Sequence, residues 1–490
     1  MTYLAESKED RVYFEATLRS ETGESLFAPD TYLESDNLQQ FAPPAGRGTQ
    51  AATALQSLGF RVQQIGTFSI SAEGPRELWE RVFGTRVEPR SQRVSPSIGE
   101  VTYLSHVAGA PFTIPPELAE LVERAYPQSP PILFESPLPP RVTYHHLTVP
   151  ADVATVCRST SAHKVAMTGK GVLVAMVDTG FYKHPFYKWH GYNYQATLAP
   201  DATNVERDES GHGTAEAANI FANAPDIDFI GVKMGGNATL AFKSASDLHP
   251  AVMTNSWGYN LVNDSGQPLT TLPNFLKPLE AAVIEAVRER GITVCFSGGN
   301  GHISFPGMMP DVIAVGGVYA HPTLTPGGDD FQLEASNYAS SFDSQIYPGR
   351  HVPDLCGLVG MQPRAIYIML PVEPGDQIDQ GLGGAGYPNK DETATNDGWA
   401  VISGTSAASP QIAGVCALLK QVQPGLSPSL IKAILRASAR DVKTGMSGNG
   451  QPAGDGHDGA TGTGLVDAYA AYKLARSVVI RNIDSLPSPR

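Results

Sequence analysis

The sequence predicts an α/β protein: a doubly wound, mostly parallel sheet preceded by a small α+β unit. Three observations carry this. Five apolar runs, GVLVAMV (171–177), IDFIGVKM (227–234), AVMTNSW (251–257), ITVCFSG (292–298) and DVIAVGGV (311–318), read as strands buried on both faces. Helical stretches separate them: Ala-rich HGTAEAANIFANA (212–224), LKPLEAAVIEAVRERG (276–291) with its glycine stop, and SAASPQIAGVCALLKQV (406–422). Strands alternating with helices argue for a parallel sheet covered on both faces. Third, the pattern changes at PQSPPILFESPLPPR (127–141), whose six prolines remove backbone donors and favour an extended linker. The expected organisation is a first unit over 1–126, a linker over 127–141, a main domain over 142–478 and a frayed tail over 479–490.

In the first unit, QAATALQSLGF (50–60) has helical spacing and stops at Gly59. RVQQIGTFSISAEG (61–74) reads as short strands, and PRELWERVFG (75–84) as a second helix ending at Gly84. In the main domain, 360–400 is rich in Gly, Pro, Asp and Asn and reads as a long loop insertion. No internal repeat is visible.

A length of 490 residues suits two or three domains, and 41% hydrophobic with 17% charged residues is an ordinary globular composition. The net charge of −14 argues against a nucleic-acid or anionic-membrane partner, since both need a basic face. No apolar run is long enough to span a membrane. The start, MTYLAESKEDRVYF, lacks the features of a signal peptide, so the expected location is cytoplasmic, with export by another route as the alternative. Four cysteines, Cys157, Cys295, Cys356 and Cys416, make no disulfide framework or metal pattern. Cys295 and Cys416 sit in apolar runs and read as buried packing.

Three short blocks carry chemistry. In VAMVDTG (174–180), Asp178 ends a buried strand. In GHGT (211–214), His212 opens a helix. In SGTSAASP (403–410), Ser406 follows Gly404-Thr405 at a helix start. Functional groups of open α/β sheets collect at the carboxyl ends of strands, where all three fall. A serine hydroxyl needs a base to take its proton, and a neutral imidazole is that base near pH 7. A buried carboxylate fixes the imidazole tautomer and stabilises the imidazolium. Ser406 at a helix N-terminus gains from the dipole and from its own N–H, which can face an oxyanion. Pro410 is placed in the first turn, where a missing N–H costs little. In CFSGGNG (295–301), Asn300 can donate its side-chain amide to an oxyanion. In TNSWGYN (254–260), Ser256, Trp257 and Gly258 can offer an edge to an extended peptide.

The order Asp, His, Ser within these words resembles the subtilisin-like serine protease family. The matching words are VAMVDTG with His184-Pro185 downstream, GHGT, NSWG, SGGN, FPGMMPDVIAVGGV (305–318), VPDL (352–355), GTSAASPQIAG (404–414) and GTGLVDA (462–468), in family order over roughly 165–475. The resemblance implies Asp178, His212 and Ser406 as a catalytic triad. It implies Asn300 and the Ser406 N–H as oxyanion donors, and Ser256, Trp257, Gly258, Ser297, Gly298 and Gly299 as substrate-binding edges. Two departures stand out. The helix reads HGTAEAA where the family commonly has a second His and a Val-Ala-Gly run. Its Glu216 lies one turn from His212: either it raises the imidazole pKa or, the plainer reading, it is a solvated helix residue. The insertion at 360–400 is either a lid or loop decoration. In the first unit, LESDNLQQFAPP, ATALQSLGFRV and ELWERVFGTRVE resemble the activation domain of the sedolisin or kumamolisin family, which implies a prodomain that assists folding and plugs the cleft. Sedolisins carry Glu in place of the catalytic His, whereas this chain has GHGT.

Singly, each residue has a bland reading: Asp178 as a turn former, His212 as a helix cap, Ser406 as an N-cap. Together and in order, with Asn300, they point to a serine endopeptidase made as a zymogen. Its expected partners are a peptide or protein substrate and its own N-terminal domain, released by a cut within about 127–145. The pocket suggested by Ser256–Gly258, Gly298, Gly299 and Ser304 has no acidic floor, which favours an apolar residue before the cut. A narrow intracellular peptide-maturation protease and an inactive peptide-binding relative are the rival readings. No cofactor is needed for the chemistry. Acidic loops at 327–330, 389–397 and 455–459 are candidates for structural Ca²⁺ or plain solvated loops, without EF-hand spacing. No HExxH is present, which disfavours a metalloprotease.

Overall fold

Successive side chains of a strand point to opposite faces, so a strand buried on both sides must meet two apolar layers. The computed structural model, which describes residues 11–29, 31, 33, 37–95, 99–131, 144–322, 331–363 and 366–478, shows this at strand Leu173–Asp178. Val174 and Met176 join one core with Phe221 and Ile412, while Ala175 and Val177 join another with Phe242 and Val283. The same split recurs at Val252 against Met253 and at Cys295 against Phe296.

Seven strands run in the order Phe331–Ala335, Ile313–Pro322, Thr293–Ser297, Val252–Asn255, Leu173–Asp178, Asp228–Lys233 and Asn193–Leu198, and Leu355–Leu358 also pairs with Ile313–Pro322. All pairings are parallel except that of Phe331–Ala335. Helices His212–Asn223 and Thr405–Val422 cover one face; Ala238–Ser246 and Lys277–Arg288 cover the other. The doubly wound sheet expected from the five apolar runs is the one observed.

Helix Thr405–Val422 is buried from Ala407 to Lys420. Each fully buried leucine on it, such as Leu418 and Leu419, contributes about 1.5–3 kcal/mol. It approaches helix His212–Asn223 closely at Gly414, where a Cβ would come within 2.7 Å of the Ile220 carbonyl oxygen. Pro410 does not lie in the first turn, as the sequence suggested, but one turn further in. The N–H it lacks would have bonded the carbonyl four residues back, that of Ser406. That carbonyl instead accepts from Ser256 Oγ at 2.8 Å.

The word VPDL has its own explanation. Asp354, 3% exposed, receives Arg350 in a two-pronged pair at 2.6 and 2.8 Å, Lys432 at 3.0 Å and the Ala314 N–H at 2.8 Å. Burial alone would raise its carboxyl pKa, but the two cations outweigh it and hold the pKa below the usual range. All four cysteines are buried and free.

The region 360–400 is not a plain loop. Strand Ile368–Pro371 pairs antiparallel with Trp399–Ile402 and parallel with Leu147–Thr148, and helix Gln377–Leu382 lies between. Its acidic residues, taken from composition as loop formers, cap backbone: Asp391 accepts from Thr393 and Val401 N–H groups, and Asp379 from Gly375 and Gly398. The tail over 479–490 lies outside the described residues.

The chain divides into two compact units, Met1–Leu138 and Pro139–Arg490. In the first, an antiparallel sheet in the order Arg61–Ile65, Ser69–Pro75, Arg11–Leu18, Val122–Pro127 carries helices Arg47–Ser57 and Arg76–Phe83. Phe14, Phe60, Trp79 and Phe83 pack as an aromatic core, with Phe14 and Trp79 centroids 4.8 Å apart. Strands Val87–Ser95 and Gly99–His106 form a separate hairpin that the sequence patterning did not reveal.

Candidate active site

Asp178, His212 and Ser406 are each delivered by a different element, and each local sequence shows why. Asp178 is the last residue of its strand and 1% exposed. Its Oδ1 lies 2.7 Å from His212 Nδ1 and accepts the Thr179 N–H at 2.8 Å. Its Oδ2 is buried with no hydrogen-bond partner among the described residues. His212 opens its helix behind Gly211, whose φ of 87° is left-handed. A Cβ on Gly213 would meet the Gly180 carbonyl oxygen at 2.3 Å, so only glycine lets the helix start this close to the strand end.

The turn ahead of the helix is fixed by Asp208, which the sequence reading did not single out. It is fully buried and accepts from Thr179 Oγ1 and the Gly211 N–H on one oxygen, and from the Thr214 N–H and Oγ1 on the other, at 2.7–3.0 Å. An acidic residue four positions before the helix start was its signal. The region 360–400 also reaches here: Glu373 accepts the Asp208 N–H at 2.5 Å and pairs with Arg207, and the Ile378 N–H donates to the Ser210 carbonyl at 3.3 Å. Asp376 sits against Gly211, and burial pushes its carboxyl pKa up to about 7.

Ser406 is the second residue of helix Thr405–Val422, so its N–H has no intrahelical acceptor. Its Oγ donates to the Ser256 carbonyl at 3.2 Å. No hydrogen bond joins it to His212 among the described residues; in enzymes without substrate such bonds are often long. Asn300 Oδ1 accepts from the Thr405 N–H and Oγ1, both at 3.0 Å. Two donors on one atom fix the amide orientation and leave Nδ2 for another acceptor. That nitrogen faces Gly404, where a Cβ would come within 3.2 Å of it.

Ser256, Trp257, Gly258, Ser297 and Gly299 line one cleft of about 240 Å³ together with Ser406 and Asn300. Gly298 does not line it, and its N–H is bonded to the Val315 carbonyl at 2.7 Å. Trp257 is pinned by its Nε1, which donates to the Val177 carbonyl at 3.0 Å, and by edge-on packing against Phe296. No carboxylate, lysine or arginine lines the cleft; among the described residues its ionisable side chains are His302 and Tyr259.

Glu216 is not a solvated helix residue. It is 1% exposed, and its Oε1 lies 4.0 Å from His212 Nε2. The helix is buried along nearly its whole length, so no face was left for solvent. Burial disfavours the charged imidazole, but Asp178 and Glu216 outweigh it and hold the His212 pKa above its ordinary value. Burial likewise pushes the Glu216 carboxyl above the usual carboxylate range.

Among the described residues no group of three or more His, Cys, Asp or Glu side chains is placed to hold a metal. Asp397 accepts from the Ala394 and Trp399 N–H groups, Asp458 from those of Gly454, Ala460 and Thr461, and Asp455 pairs with Lys443. The acidic stretch 327–330 lies outside the described residues. No described helix is long and apolar enough to cross a membrane.

Comparison with known proteins agrees with the fold. A family model described as the subtilase family matches residues 169–457. The M-protease of Shouchella clausii (strain KSM-K16) is 27% identical over 339 residues, covering 68% of this chain and 72% of its own. Subtilisin BL of Lederbergia lenta is 26% identical over 332 residues, covering 66% of this chain and 99% of its own. Among solved structures, a lanthipeptide protease superposes with a TM-score of 0.47 at 21% identity, covering 66% of this chain and 93% of that one.

Proposed function

The chain belongs to the subtilase family and is a serine endopeptidase, and on that premise we propose that Ser406 is its nucleophile, His212 its base and Asp178 the carboxylate that orients the base. The carrying observation is the 2.7 Å contact between Asp178 Oδ1 and His212 Nδ1, on a helix that packs at Gly414 against the buried helix on which Ser406 is the second residue. Ser406 Oγ attacks the scissile carbonyl while His212 Nε2 takes its proton. Asn300 Nδ2 and the Ser406 N–H hold the oxyanion. His212 returns the proton to the leaving amine, and water then hydrolyses the acyl-enzyme. The chemistry needs side chains and water and no cofactor.

A fluorophosphonate probe followed by peptide mapping tests the nucleophile. One adduct on Ser406 is expected; an unlabelled chain, or a label elsewhere, removes the assignment. Asn300→Ala is expected to lower kcat by about 10²–10³ with KM little changed, as for loss of one oxyanion donor. Initial rates across substrate concentration check it, and a change in KM alone would assign Asn300 to substrate binding instead.

The acyl side of the substrate lies extended along Ser256–Gly258 and Gly299, with Gly298 contributing no N–H. The uncharged cleft favours an apolar residue before the cut.

The N-terminal unit is read as a prodomain that accompanies the protease as a zymogen. It has its own core, as a separately folding propeptide needs. Release requires a cut ahead of Tyr144. That ring stacks on Tyr387 at 4.0 Å, its hydroxyl donates to the Asp391 carbonyl at 3.1 Å, and Leu147–Thr148 is already a strand of the protease unit.

A further inference from the structure

His212 has two ring nitrogens, and a carboxylate stands at each. Asp178 holds Nδ1, and Glu216 Oε1 lies 4.0 Å from Nε2. That is ion-pair distance rather than a hydrogen bond, so charge couples the two. Nε2 is also the atom that must take the Ser406 proton. Glu216 is held in place by its other oxygen. Oε2 accepts from Asn219 Nδ2 at 3.0 Å, and Asn219 Oδ1 accepts from Gln411 Nε2 at 3.2 Å. Gln411 belongs to the Ser406 helix and is itself fixed by the N–H and carbonyl of Leu358, at 2.7 and 3.2 Å. A chain of buried amides thus anchors the carboxylate to the helix of the nucleophile.

The surroundings of this pair are short of cations. The neighbouring strand contributes Asp178, the turn before the helix Asp208, and adjacent segments the hydroxyls of Tyr187 and Tyr338. The nucleophile helix contributes neutral Ser409 and Gln411, and strand Ile368–Pro371 has no ionisable side chain. His163 bonds the Asn223 carbonyl at the far end of the helix, and Asp152 caps Thr148. Among the described residues no lysine or arginine pairs with Glu216, so the imidazolium is the one cation it meets.

The geometry points to Glu216 as a positioning residue that shares a proton with His212 and sets the pH at which the base becomes free. This rests on the reading of Ser406, His212 and Asp178 as the catalytic group. A buried carboxylate and an imidazole this close hold one proton between them and titrate as a pair. While the imidazole carries it, Nε2 has no lone pair for the Ser406 proton; Ser406 Oγ donates to the Ser256 carbonyl. A negative neighbour raises an imidazole pKa, so removing the charge lowers it. Burial and Asp178 raise the Glu216 carboxyl in the same arrangement, which keeps the proton within the pair.

The test compares kcat/KM against pH for the full-length wild type, Glu216→Gln and Glu216→Val. In parallel, the His212 ring is titrated by NMR with selectively labelled histidine, in Ser406→Ala and in Ser406→Ala with either Glu216 substitution. The acid limb of the profile is expected to move down by about one pH unit or more, a tenfold gain on that limb. The His212 midpoint should move the same way. Should Glu216→Gln fail to fold, the valine variant supplies both readouts. A His212 midpoint that stays put in a folded variant overturns the proposal. If His212→Ala kept wild-type activity, the base assignment would fall, and the His212–Glu216 titration would still report on the pair by itself.

Discussion

Ser406→Ala is expected to lower kcat by about 10⁶-fold, the order of loss when the nucleophile of a Ser-His-Asp unit is removed, and to leave the chain whole at 52.1 kDa. The substitution isolates chemistry from folding. The Ser256 Oγ bond runs to the backbone carbonyl of residue 406 and survives it. What is lost on the structural side is one exchangeable bond to the Ser256 carbonyl, worth about 1 kcal/mol. Peptide hydrolysis beside intact-mass spectrometry of both chains over hours gives the answer. The wild type should shed its N-terminal unit by a cut ahead of Tyr144. A variant that splits at the same rate would show that another protease makes the cut. A variant within tenfold of wild-type activity would remove Ser406 from the chemistry.

Asp178→Asn is the second large effect, about 10⁴-fold in kcat with the geometry intact. Asp178 Oδ1 already accepts from two donors, His212 Nδ1 and the Thr179 N–H. An amide must place either its oxygen or its NH₂ at that position. With the NH₂ toward Nδ1, the imidazole is driven to the tautomer protonated on Nε2 and cannot take the serine proton. Oδ2, buried with no hydrogen-bond partner among the described residues, offers no bond to compensate for the lost charge. Circular dichroism and thermal unfolding should resemble wild type while kcat collapses. If kcat fell less than tenfold, Asp178 would be a turn residue only.

The sheet was legible because its strands are apolar on both faces, and the pattern survives even where edges shift by a residue or two, as at Val252–Asn255. Asp178, His212 and Asn300 stood out in the sequence because each sits in a short word with a fixed companion next to it: Thr179, Gly213, Gly299. Residues that act through distant partners did not. Glu216 looked like a helix surface because periodicity cannot show that Gln411, far along the chain, packs on this helix and holds Asn219, the donor to Glu216. Asp208 and Glu373 did not stand out for the same reason, although they brace the turn that presents His212. Pro410 misled in the opposite direction: proline near a helix start suggested a cost-free first turn, whereas its missing N–H leaves the Ser406 carbonyl to Ser256.

The three groups proposed to carry the chemistry arrive from places far apart in the chain, and this governs when the molecule can become dangerous to its surroundings. Asp178 comes on a central strand, flanked in parallel by Asp228–Lys233 and Val252–Asn255, so no local hairpin can form it early. Ser406 comes on the helix that docks across most of the sheet. Pairings of long sequence separation close late, because the entropy of joining distant segments must be overcome first. A chain still emerging during synthesis, or one halted before its last large helix, therefore carries all the right letters and no cutting edge. Competence to hydrolyse arrives only with the completed sheet.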